Sequence, residues 1–81
     1  MEFKEMFWEG EIELDFGDLH HIPCYMECEY QTDGTTYRRG ELRVYMDFGP
    51  YSGMERVNIT HAVREYVKDD LFEEYIPRVM D

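Results

Sequence analysis

An α+β fold, a three- to four-stranded antiparallel β-meander packed on one C-terminal α-helix, is predicted by three features of this 81-residue chain. Three successive stretches alternate apolar and polar residues with a period of two. The last third of the chain switches to a helical period, and an Asp-Gly pair lies between the second and third stretches. The expected order is βββα or βββ(β)α, in a single domain covering residues 1–81.

The first strand is read from Met6 to Phe16. Met6, Trp8, Gly10, Ile12, Leu14 and Phe16 share one parity, and Glu5, Glu9, Glu11, Glu13 and Asp15 share the other, as in a strand with one buried face and one acidic face. Gly17 to His21 makes the first connection. In the second strand Ile22, Cys24, Met26, Cys28 and Tyr30 point inward, with Tyr25, Glu27 and Glu29 outward. The third places Leu42, Val44, Met46 and Phe48 inward and Glu41, Arg43, Tyr45 and Asp47 outward.

Parity constrains the hairpin at Asp33-Gly34. A three-residue loop, Thr32-Asp33-Gly34 with Gly34 left-handed, pairs Cys24 with Leu42, Ile22 with Val44 and Glu27 with Arg39. A two-residue turn is compatible only with a bulge near Arg38-Arg39. The third strand ends at Gly49-Pro50-Tyr51-Ser52-Gly53, and a short extended piece from Met54 to Val57 precedes the helix. There Ile59, Ala62, Val63, Tyr66, Val67, Leu71 and Tyr75 form an apolar stripe, Asn58 or Thr60 caps the start, and Pro77 marks the end. Such a helix of about 17 residues is near 25 Å long, enough to cover one sheet face.

Charge is polarised along the chain. The 33 residues from Glu5 to Tyr37 hold nine carboxylates and no lysine or arginine, and seven of the eight basic residues follow them. Residues 1–37 carry ten acids against Lys4, a net of −9; residues 38–81 carry nine acids against seven bases, a net of −2, within a total of −11. A surface of one sign calls for a basic partner and repels phosphates and anionic lipid, so direct binding to nucleic acid or membrane is disfavoured. The segment Met1-Glu2-Phe3-Lys4-Glu5 shows neither the basic nor the apolar part of an export signal, and cytoplasm is the expected compartment, that of the host if a phage encodes the chain.

Catalytic and metal chemistry find little support. Cys24 and Cys28 on a straight strand are about 13 Å apart, beyond the ~7 Å Cα limit of a disulfide, and two free buried thiols are expected. The same spacing separates them as ligands, so His20-His21 reads as a turn pair rather than part of a metal site. His61 reads as a partly exposed helix residue. No phosphate loop, nucleophile elbow or zinc motif occurs, and neither enzyme activity nor a cofactor is expected.

Parallel rows of carboxylates on a rigid sheet resemble in charge spacing the phosphate rows of a duplex. The expectation is therefore a non-enzymatic acidic inhibitor or interaction protein, of the kind phages and mobile elements encode. It would mimic nucleic acid and block the nucleic-acid-binding surface of a host defence protein, restriction or CRISPR (an anti-CRISPR), or of a DNA-processing protein. The residues expected to meet that partner are Glu9, Glu11, Glu13, Asp15, Glu27 and Glu29, with Tyr25 and Tyr37 as aromatic anchors. Tyr51, in its glycine-flanked loop, and Phe7, Tyr37 and Tyr45 add outward aromatics. The alternative is a self-associating structural or regulatory module, a homodimer through a sheet edge or the tyrosines, whose acidity serves solubility.

Overall fold

The computed structural model describes residues 2–48 and 55–77. Four strands, β1 (Lys4–Phe16), β2 (Leu19–Thr32), β3 (Tyr37–Phe48) and β4 (Glu55–Asn58), form one antiparallel sheet in the order β1-β2-β3-β4. A 3-10 turn at Thr60–Ala62 and a helix, α1 (Glu65–Tyr75), follow. The loop that includes Tyr51 and the side chains of Asp47 and Phe48 lie outside the described residues. No described helix is long and apolar enough to cross a membrane.

The alternation read in the sequence is realised in space. Ile12 and Leu14 on β1, Cys24, Met26, Cys28 and Tyr30 on β2, and Leu42 and Val44 on β3 are buried on one face, where Val63, Leu71, Phe72 and Ile76 meet them. Both cysteines are free and buried. Burial pushes the Cys28 thiol from 9.0 up to about 11. Thiol reagents at about pH 8 should therefore label the native chain slowly and both cysteines promptly in urea. An exposed thiol loses its proton before the folded one does. The stabilisation tied to this shift is thus complete below pH 9 and lost as pH rises to about 11, which urea midpoints across that window will show.

The β2–β3 register differs from the expected one. Cys24 faces Met46, Met26 faces Val44, Glu27 faces Arg43 and Cys28 faces Leu42, whereas beyond the irregularity Tyr30 faces Arg39 and Thr32 faces Tyr37. The turn is residues 33–36, because Asp33 Oδ1 accepts the N–H groups of Thr35 at 2.9 Å and Thr36 at 2.8 Å, while Thr32 Oγ1 accepts that of Gly34 at 3.0 Å. These backbone donors also hold the Asp33 carboxyl below its ordinary pKa. Gly34 takes the left-handed conformation foreseen for it, with φ 98°.

Parity is restored by a bulge in which Gly40 and Glu41 together oppose Glu29. A Cβ at Gly40 would lie 2.7 Å from the Glu29 carbonyl oxygen, so the bulge requires glycine. Gly40→Ala should lower the unfolding free energy by about 1–3 kcal/mol in urea melts. An unchanged midpoint would mean that the strands separate here at no cost.

The helix is shorter than its stripe implied. Asn58 Oδ1 accepts the Thr60 N–H at 2.9 Å, Ile59 N–H donates to the Val44 carbonyl at 2.9 Å, and Thr60 Oγ1 accepts the Val44 N–H at 2.9 Å. Those bonds stitch residues 58–60 to β3, and Val63 and Arg64 stay extended before α1 begins. Most of the stripe still packs inward, with Val63 and Leu71 buried and Ile59, Val67 and Tyr75 against the core, but Ala62 is exposed, Tyr66 is 63% exposed, and Phe72 and Ile76 join the buried set. Phe72 packs edge-on against Tyr30, Tyr75 lies beside Trp8, and Arg39 holds α1 through Glu65 at 2.7 Å and Asp69 at 2.8 Å.

Candidate binding face

On the open face of the sheet, β1 presents Glu5, Glu9, Glu11, Glu13 and Asp15, all exposed, in one column. Residues two apart on a strand repeat every ~6.7 Å. Among the described residues none of the five pairs with lysine or arginine. Glu9 accepts the Tyr25 hydroxyl, Glu13 bonds His21 Nδ1 at 2.8 Å, and Asp15 accepts the His21 N–H at 2.9 Å with His20 Nδ1 at 3.5 Å. Glu11 has no side-chain partner among the described residues.

The histidine pair owes its place to a second bulge. Between Leu14–Ile22 and Phe16–Leu19, Asp15 faces both His20 and His21, and His21 takes φ 57°. Its N–H is the main cause that holds the Asp15 carboxyl below the ordinary carboxylate range. Among the described residues no three His, Cys, Asp or Glu side chains are arranged to hold a metal ion.

Toward β3 the face carries both signs. Glu9 stands directly across from Glu27, and Glu27 from Arg43. Arg43 lies 2.9 Å from Glu41, 3.6 Å from Glu27 and 3.7 Å from Glu29. Thus two expected contact carboxylates, Glu27 and Glu29, are shared with an arginine of the same chain, because the register that moved Arg39 away brought Arg43 opposite Glu27. Arg38 lies over the Phe3 ring at 3.8 Å and Arg56 over the Tyr25 ring at 4.0 Å. The acidic outer face expected from the sequence is thus a gradient, acidic at β1 and mixed at β3 and β4.

Of the two expected anchors, Tyr25 does face outward. Its ring is half-buried between Tyr45, 6.2 Å away, and Arg56, and the hydrogen bond to Glu9 is the first cause raising its pKa. Tyr37 does not: the bulge at Gly40-Glu41 reverses its parity, and it packs on Tyr30 with ring centroids 6.1 Å apart, against the core. Tyr37 is withdrawn from the outer face. In its place Phe7, outward and 50% exposed, is the accessible aromatic of β1. A groove of about 570 Å³ is lined by Phe7 together with Met6, Glu29, Arg38 and Gly40, among others.

The edge itself completes the geometry. The Glu13 N–H donates to the Tyr75 hydroxyl of α1 at 3.1 Å, outside the ladder with β2. Backbone groups alternate sides along an antiparallel strand, so odd-numbered residues of β1 aim their N–H and C=O away from β2. No protein-family model, curated protein or solved structure matches the chain.

Proposed function

We propose that this chain is a non-enzymatic acidic inhibitor or interaction protein that docks its β1 side on the basic, nucleic-acid-binding surface of another protein. A phage- or mobile-element-encoded decoy acting on host restriction, CRISPR or DNA-processing machinery is the setting that suits such a surface. The observation that carries the reading is the column from Glu5 to Asp15, free of lysine and arginine partners among the described residues, while Arg43 is engaged by Glu27, Glu29 and Glu41 and Arg38 and Arg56 lie over the Phe3 and Tyr25 rings. Its repeat of ~6.7 Å is close to two steps of a duplex, which places one phosphate every ~3.4 Å of axis on each strand.

The proposed contact set gives these side chains unequal parts. Glu9, Glu11, Glu13 and Asp15 supply long-range attraction, Phe7 adds apolar contact, and Glu27 and Glu29 contribute less because Arg43 shares them. Self-association through tyrosines is supported less well, since Tyr25 lies under Arg56 and Tyr37 against the core.

The test is capture from a host lysate on immobilised wild-type chain and on Glu11→Gln/Glu13→Gln. Nucleic-acid-binding proteins should be retained by the wild type, released between roughly 50 and 200 mM salt, displaced by duplex DNA and missing from the variant. Equal retention by the two chains would overturn the reading.

A further inference from the structure

The sheet has two edges of unlike kind. β4 is four residues long, and the chain turns back at once to stitch onto β3. β1 runs 13 residues, pairs with β2 in unbroken register from Lys4 to Leu14 and contains no proline. Short strands, prolines, bulges and covering elements are the usual protections of an edge; on β1 α1 covers only the Glu13 end, through Tyr75. The outward N–H and C=O groups of Glu5, Phe7, Glu9 and Glu11 make no hydrogen bond outside the ladder among the described residues.

We infer that β1 is a strand-addition site, and that its occupant is an extended segment alternating basic and apolar residues, which pairs antiparallel along Glu5–Glu11. This deepens the acidic-docking reading and rests on it for the sign of the partner. Charge selects the occupant. A second copy of β1 would set carboxylate against carboxylate at every outward pair that does not include Phe7, and like charges directly opposite are destabilising. Lysines or arginines beside Glu5, Glu9 and Glu11 would be attracted, and the intervening residues would fall beside Met6, which is 43% exposed, and half-buried Trp8. Main-chain bonds give affinity in this mode, and alternate side chains give specificity.

The probe is a short, capped, labelled peptide alternating lysine and valine. A second peptide is N-methylated at its lysine amides, the groups that would bond the β1 carbonyls; it keeps the charge and loses those donors. The inference expects the first peptide to bind, to slow hydrogen exchange at the Phe7, Glu9 and Glu11 amides, and to exceed the methylated peptide by about tenfold or more in affinity. Glu11→Pro removes an outward N–H without touching the β2 ladder, and should bind about tenfold more weakly than Glu11→Gln, which loses the same charge. Equal affinity for the two peptides overturns strand addition while leaving acidic docking standing. Absence of binding by the unmethylated peptide also overturns it. Should the lysate capture also ignore Glu11→Gln/Glu13→Gln, both readings fall.

Discussion

Met26→Ala should cost about 2–5 kcal/mol of unfolding free energy, a large share of the ~4–12 kcal/mol expected for a domain of this size. Met26 is 0% exposed at the centre of β2, with Gly10 across from it on β1 and Val44 on β3. Gly10 offers no side chain to fill a void, and the space above it is already taken by the Trp8 ring, which a Cβ at Gly10 would meet at 2.9 Å. The cavity left by truncation is thus flanked by paired strands on both sides, whose backbone cannot easily collapse into it. Met26→Leu, close in volume, should cost less than about 1.5 kcal/mol. Urea denaturation followed by far-UV circular dichroism reads both. A loss under about 1 kcal/mol for Met26→Ala would show that α1 does not seal this face.

Glu11→Gln/Glu13→Gln should weaken partner binding by about 10–100-fold near 50 mM salt, or ~1.4–2.8 kcal/mol, with the difference shrinking as salt rises. Both side chains are exposed, and neither lies on the packed face. Glu11 has no side-chain partner to lose among the described residues, and glutamine keeps the shape of both. Neighbouring charges ~6.7 Å apart lie within the ~10 Å Debye length at 0.1 M salt, so the column acts collectively and removing its middle weakens the whole. Stability should hold or rise slightly, because like-charge repulsion along β1 is relieved. Affinity unchanged at low salt, in a variant that melts like the wild type, would mean the partner does not read this charge.

Much of the fold was legible because strand faces are a local property. Period-two alternation at Met6–Phe16, Ile22–Tyr30 and Leu42–Met46 assigned inward and outward side chains correctly, and no distant contact was needed to do so. The same locality made the acidic column on β1 visible. Register was not local. Where β3 lies against β2 depends on Asp33 collecting the Thr35 and Thr36 amides, and on the Glu29 carbonyl approaching Gly40 too closely for a side chain. An Asp-Gly pair signals a turn without stating its length. The late start of α1 escaped for a related reason, since Thr60 bonds the backbone of Val44, 16 residues earlier in the chain.

By itself, then, the sequence determined a three- to four-stranded meander with a helix on one side and a carboxylate column on the first strand. These follow from periodicity and from residue types that neighbours along the chain cannot change. Tertiary structure alone decided that Tyr37 turns inward, that Arg43 rather than Arg39 meets Glu27 and Glu29, and that the acid-bearing strand is an open edge whose Glu13 amide is capped by Tyr75. The physical reason is that one extra residue at a bulge reverses every side chain beyond it, and that order in a sheet is set by pairing between segments far apart in the chain.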